Sequence, residues 1–229
     1  MKIKAVIFDL DGTLIDSIPD IADAANQMLA NHDFPVHHPK CYIEWIGHGA
    51  LRLIQQAVPG NREESYLQEL LDEYRKIHIK NCTNKTRLYN GIDEVLNFLT
   101  AQNISISILT NKPHSITLKV VKHYLSAWKF DFVLGQLPEY PKKPNPDRAI
   151  EIAGKLNFNS QEMLFIGDSD TDIKTGIAAD MIPIGVTWGY ATELSIADAG
   201  ASYIFSDPKE LIQYLKNSAN ENQSGKIIW

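Results

Sequence analysis

Two aspartates, Asp9 and Asp11, stand two residues apart after the apolar run Ile3 to Ile7 and just before Gly12-Thr13. While strand geometry lasts, side chains two apart share a face, so both carboxylates can reach one small volume. Like charges that close need a counter-charge. A hard divalent cation such as Mg²⁺ supplies it, taking its oxygen ligands from one or two carboxylates and a phosphate. A second acidic set, Gly167-Asp168-Ser169-Asp170-Thr171-Asp172, follows the apolar run Met163 to Ile166. Asp168 and Asp172 lie four apart, the spacing at which a turn entering a helix brings two side chains to one side. Between the acidic sets, Thr110 and Asn111 offer a hydroxyl and amides suited to a phosphate oxygen. Lys143 precedes Pro144, which keeps it out of the helical region and projects its ammonium from a stiff loop, whereas Lys142 reads as a solvated neighbour. Positioning groups, a divalent cation and a fixed ammonium are what phosphoryl transfer asks of a protein.

The elements that must position these groups follow from the apolar pattern. A Val- and Ile-rich run that stops at acids and a glycine reads as a buried parallel strand, delivering its polar residues to the C-terminal edge of an open α/β sheet. Gly12 lets the chain leave that strand in a conformation other residues reach only with strain. From Tyr89 onward, strands at Ile104 to Leu109, Phe130 to Leu134, Met163 to Ile166, Ile182 to Val186 and Tyr203 to Phe205 alternate with helices. The helices are expected at Ile92 to Leu99, Pro113 to Tyr124, Ala149 to Leu156, Ile173 to Ala179 and around Leu211 to Leu215. Alternation of this kind predicts a doubly wound, Rossmann-like α/β core with a parallel sheet, formed by residues 1–15 and 86–229. Each polar site falls at a strand end or in the loop after it.

Residues 16–85 predict helices only. Ser17 is the expected cap of the first, with Asp20 three residues on completing a capping box. Segments Tyr42 to Ile46, Ala50 to Val58 and Arg62 to Lys80 follow, the last with Leu67, Leu70, Leu71, Tyr74 and Ile77 on one stripe. The block reads as an inserted all-helical domain with linkers near Asp16 and Asn84. The polar tail Asn217 to Lys226 is expected to fray.

With 44% apolar residues the chain can build a sizeable core, and 22 basic against 28 acidic side chains give a net charge of −6. That balance argues against nucleic acid or an anionic membrane as the main partner. Cys41 and Cys82 show neither a disulfide nor a zinc pattern and are expected to be reduced. Lys2 and Lys4 lead into a strand rather than a signal segment, and no apolar run approaches membrane-spanning length. A cytoplasmic protein, monomer or homodimer, is the expectation.

Taken in order, Asp9-Leu10-Asp11-Gly12-Thr13, Thr110, Lys143 before Pro144, and Gly167-Asp168 through Asp172 resemble the four signature motifs of the haloacid-dehalogenase superfamily of phosphohydrolases, over nearly the whole chain. The resemblance implies that Asp9 is a nucleophile forming an aspartyl-phosphate and Asp11 the general acid/base. It implies that Thr110, with Asn111 beside it, binds the transferring phosphoryl group and that Lys143 holds nucleophile and phosphate together. Mg²⁺ would be held by Asp9, the Asp11 backbone carbonyl and Asp168, with Asp172 in or next to that shell. Dehalogenases of the superfamily lack the second acid, so Asp11 implies phosphoryl chemistry.

The helical insertion looks like the family's C1-type cap, and Trp45-Ile46-Gly47-His48-Gly49-Ala50 resembles the cap loop of phosphoglycolate phosphatases. That likeness implies a small phosphorylated metabolite as substrate, 2-phosphoglycolate being the expectation. His48 would contact its carboxylate or hydrogen-bond in the hinge, with Arg52 as a second candidate. A phosphotransferase of the β-phosphoglucomutase type and a phosphatase of other small metabolites or pyrophosphate are the alternatives. A phospho-aspartate signalling module is disfavoured by Asp11 and by the size of the insertion.

Overall fold

Alternation along β1 (Ala5–Phe8) sends Val6 and Phe8 to one side of a sheet and Ala5 and Ile7 to the other, and all four are buried. A strand buried on both faces needs helices on both faces, and a computed structural model, which describes residues 3–47 and 49–220, has that architecture. The elements that follow β1 are β2 (Ile15–Asp16), α1 (Ile18–Asn31), α2 (Pro39–Trp45), α3 (Ala50–Ala57), α4 (Glu64–Asn81) and β3 (Arg87–Leu88). Then come α5 (Ile92–Ala101), β4 (Ser105–Pro113), α6 (His114–Tyr124), β5 (Phe132–Gln136), α7 (Asp147–Leu156) and β6 (Met163–Gly167). The chain closes with α8 (Asp170–Ala178), β7 (Ile182–Val186), α9 (Glu193–Asp198), β8 (Tyr203–Phe205) and α10 (Pro208–Asn220).

Six parallel strands run in the order β5-β4-β1-β6-β7-β8. Phe8 is level with Ile108 on one side and Ile166 on the other, so the residues just beyond all three strands converge on one edge. One face packs Val6, Phe8, Ile108, Ile166 and Ile184 against α5, α6 and α10; the other packs Ala5, Ile7 and Phe165 against Ala149, Ile152 and Ala153 of α7. Helices α1 to α4 have a separate apolar cluster built from Ile21, Ala25, Met28, Leu53, Ile54, Leu70, Leu71 and Tyr74. Ile77, expected on that stripe, is only partly buried against it.

Three departures from the sequence expectation have physical reasons. The chain leaves and re-enters the sheet layer through a two-stranded antiparallel ribbon, β2 with β3, too short to leave a periodic signal. Ser17 occupies the N-cap of α1 without a side-chain cap bond, and Asp20 caps nothing. Instead the buried Asp20 carboxylate accepts from the backbone N–H groups of Asn84, Lys85 and Thr86 at 3.1, 2.8 and 2.9 Å and from Thr86 Oγ1 at 2.8 Å, tying the start of α1 to the returning linker. Helix α10 runs on to Asn220, so residues 217–220 are helical rather than frayed; the rest of that tail lies outside the described residues. Both cysteines are free thiols. Among the described residues no helix is long and apolar enough to cross a membrane.

Candidate active site

Asp9 sits one residue past β1, its N–H donating to the Ile166 carbonyl at 2.8 Å, which holds it against β6. Asp168 sits one residue past β6. Gly12, at φ +88°, is what lets them meet: a Cβ there would lie 2.1 Å from Asp168 Oδ2. Thr13 Oγ1 donates to Asp168 Oδ1 at 3.1 Å and the Tyr190 N–H to Oδ2 at 2.8 Å. Helix α8 starts earlier than the apolar pattern indicated, because Ser169 and Asp172 form a reciprocal capping box. Asp172 Oδ2 is spent there, accepting from Ser169 Oγ at 2.5 Å, and Oδ1 accepts from Lys143 Nζ at 2.6 Å.

Asp9, Asp168 and Asp172 each present an oxygen within 4.8 Å of the others, and all three residues are buried. Lys143 Nζ donates to Asp9 Oδ1 at 2.7 Å as well as to Asp172. One ammonium among three carboxylates leaves excess negative charge away from water. Burial, opposed by Lys143 and reinforced by Asp172, pushes the Asp9 carboxyl up to about 6. Asp168 is pushed well above the usual carboxylate range by burial and then by the charges of Asp172 and Asp9. Burial alone would lower Lys143, yet the charges of Asp172 and Asp9 hold it above the ordinary lysine range. A buried, all-oxygen set with surplus negative charge fits a hard divalent cation of the Mg²⁺ type.

Two residues singled out from the sequence have surroundings other than those expected. The Asp11 carboxylate stands outside the three-carboxylate cluster and is paired with Lys112, Nζ lying 2.9 and 3.0 Å from its two oxygens, while Ser17 Oγ donates to Oδ1 at 2.6 Å. The Asn111 side chain, expected to face phosphate, is engaged with backbone: Oδ1 accepts from Lys143 N at 2.9 Å, and Nδ2 donates to the carbonyls of Lys143 at 3.1 Å and Gly47 at 3.0 Å. Thr110 is buried at the cavity wall with its Oγ1 accepting from Lys112 N at 3.3 Å, which leaves the hydroxyl proton to donate.

Lys112 and Tyr190 escaped the sequence reading, and Ser17 was read there only as a helix cap. Strand β4 runs to Pro113, but its register against β5 shifts between Leu109 and Pro113, so two-residue alternation along the sequence does not by itself place Lys112 beside Thr110.

These groups line a cavity of about 200 Å³ between the strand ends and α1 to α4. Its helical wall includes Ile21, Ile43, Ile46, Leu53, Tyr74 and His78, with Gly47 and Gly49 between α2 and α3. Gly47 and Gly49 have φ of +98° and +92°, in the region that favours glycine. His48 lies outside the described residues. Arg52 is exposed on α3 and is not among the residues lining the cavity.

Residues 6–186, which span all four acidic and basic sites, match the family model for haloacid dehalogenase-like hydrolases. The phosphoglycolate phosphatase of Mannheimia succiniciproducens is 32% identical over 219 residues, covering 93% of this chain and 98% of that protein. That of Haemophilus influenzae is 30% identical, covering 93% and 99%. A solved structure described as a predicted phosphoglycolate phosphatase from Haemophilus somnus superposes with a TM-score of 0.85 at 30% identity, covering 93% of this chain and 98% of that one. A match over residues 6–186, most of the chain and every one of these strand-end sites, together with relatives of this identity along almost the full length, means that the chain belongs to the haloacid dehalogenase-like hydrolase family.

Proposed function

We propose that this phosphatase hydrolyses 2-phosphoglycolate through an aspartyl-phosphate, with Mg²⁺ as cofactor. The observation that carries the reading is Lys143 Nζ bridging Asp9 Oδ1 and Asp172 Oδ1 at 2.7 and 2.6 Å, beside Asp168, at the mouth of three adjacent strands. A lone acidic turn has no reason to bury three carboxylates around one ammonium. Similarity to phosphoglycolate phosphatases along almost the full length supports the choice of substrate.

In this reading an Asp9 carboxylate oxygen attacks phosphorus and the bond from phosphorus to the ester oxygen breaks. Asp11, held in orientation by Lys112 and Ser17, gives its proton to the departing oxygen. Thr110 donates its hydroxyl to an equatorial phosphoryl oxygen, and Lys143 offsets charge on nucleophile and phosphoryl group alike. Water then attacks the phosphorus of the aspartyl-phosphate while Asp11 takes its proton, releasing phosphate and restoring the Asp9 carboxylate. Asp9, Asp168 and Asp172 would hold Mg²⁺, which when bound neutralises charge on the phosphoryl oxygens.

Residues 16–85 act as a cap that closes on the core about the β2–β3 ribbon, excluding water from the intermediate. Gly47 and Gly49 stand at its rim, with the Gly47 carbonyl already bonded to Asn111. Steady-state kinetics over a panel of phosphate esters, with and without Mg²⁺, test the reading. The expected outcome is the highest kcat/KM on 2-phosphoglycolate and no phosphoryl transfer to sugars. Preference for hexose phosphates or pyrophosphate, or full activity without divalent metal, overturns it.

A further inference from the structure

The wall of the cavity formed by α1 to α4 is mostly apolar, and among its described lining residues only Tyr74 and His78 have polar side-chain atoms. They lie one turn apart on α4, and His78 is 2% exposed. Tyr74 Oη and His78 Nδ1 are 3.0 Å apart, whereas His78 Nε2 is buried without any hydrogen-bond partner. Tyr74 Oη makes no other hydrogen bond among the described residues, so its single proton is best placed on Nδ1. That leaves the imidazole proton on Nε2, a donor with nothing to donate to. Burial and then the charge of Lys112 hold His78 well below the ordinary imidazole range, so the ring is neutral. A buried unpaired donor is costly, and in native structures it calls for a ligand or a water.

Lys112 lines the same cavity from the core, near enough for its charge to act on the His78 ring. Among the described residues lining the cavity the cationic side chains are Lys112 and Lys143, and Lys143 is committed to Asp9 and Asp172. The Lys112 ammonium has three protons, and its side-chain partner is Asp11, the residue assigned to the departing oxygen. A departing alcohol protonated by Asp11 would then stand beside Lys112, the partner of Asp11. A carboxylate has two oxygens and wants donors on both.

We propose that Lys112 of the core and His78 of the cap together form a carboxylate subsite at the leaving-group end of the cavity, reading the acid of the substrate rather than its phosphate. The subsite rests on the phosphoglycolate reading above and deepens it. Because one donor belongs to each part of the molecule, a carboxylated substrate bridges core and cap, while an uncharged ester of the same size leaves the His78 donor unpaired.

The test compares kcat/KM for 2-phosphoglycolate with that for 2-hydroxyethyl phosphate, a near match in size without the carboxylate. Wild type is measured beside Lys112→Met, Lys112→Arg, His78→Leu and His78→Gln. Lys112→Met is expected to slow both esters, since Lys112 also orients Asp11, so the readout is the ratio between them. Loss of a hydrogen bond to a charged group predicts that this ratio falls roughly ten- to hundredfold in Lys112→Met and in His78→Leu. Lys112→Arg and His78→Gln, which keep a donor, should restore most of it. Should Lys112→Met fail to fold, the arginine variant and the His78 pair still decide the matter. A wild type that handles both esters equally overturns the substrate reading and the subsite with it. A wild type that prefers 2-phosphoglycolate, with variants that keep its preference, overturns the subsite alone.

Discussion

Asn111 grips the backbone of Lys143 from both sides, accepting from its N–H at 2.9 Å and donating to its carbonyl at 3.1 Å, while the same amide reaches the Gly47 carbonyl. One side chain thus joins the end of β4, the lysine loop and the rim of the helical segment. Asn111→Ala leaves those buried groups unpaired, at roughly 1 to 3 kcal/mol, which for a domain of this size lowers Tm by several degrees. Because Lys143 would lose its fixed position, kcat should fall about ten- to hundredfold. Activity within twofold of wild type would show that the Lys143 loop is held by something else.

Asp9→Asn changes shape little and removes the anionic nucleophile, so turnover is expected to fall by at least three orders of magnitude with Tm kept or raised. The rise is expected because one member of a crowded carboxylate cluster becomes neutral. Rapid quenching of Asp11→Asn with substrate should capture phosphate on Asp9. Residual turnover above about one per cent in Asp9→Asn contradicts the covalent route.

The carboxylate cluster makes a pH-dependent statement about metal. Without metal, the folded Asp9 carboxyl keeps its proton up to about 6 against 3.8 in a free side chain, and Asp168 shifts the same way. The folded state then binds more protons than the unfolded one in that window, so these groups lower stability as pH rises through it and cost most above it. Mg²⁺ held as proposed would meet ionised carboxylates and offset that cost. The rise in Tm on adding Mg²⁺ should therefore be larger near about pH 7.5 than near about pH 5. Ca²⁺ should stabilise yet inhibit, since its looser geometry lets Asp9 bind through both oxygens. A Tm indifferent to Mg²⁺ at the higher pH argues against the metal site.

Asp20 offers a test of the linker that needs no catalytic residue. Its carboxylate receives three backbone N–H groups and the Thr86 hydroxyl. Asp20→Ala orphans them, and the expected loss of about 2 to 4 kcal/mol appears as a lowered Tm. If the helical segment moves as a cap about this joint, kcat and KM change together for every ester tried. A change confined to one ester would place Asp20 in substrate recognition instead.

The parallel α/β sheet and the acidic strand ends were legible from sequence because they depend on local pattern. Near-continuous apolar runs stop at Asp9 and just before Gly167-Asp168, and a glycine stands close to each acidic set, so strand ends and their chemistry are encoded side by side. The helical nature of residues 18–81 was legible for the same reason. What the tertiary structure alone decided is which partner each polar group takes. Ser17, Asp20 and Asn111 have strong local uses, as caps and turn formers, and all three are drawn into contacts with residues 6, 64 to 66 and 32 positions away. A buried donor or acceptor follows whichever partner lies nearest when water is gone, and that neighbour is set by packing rather than by spacing along the chain. The pairing of Lys112 with Asp11 across 101 residues, and the place of the unpartnered His78 Nε2 on the same cavity, come from the same cause: β4 lies beside β1, and α4 lines the cavity at their ends.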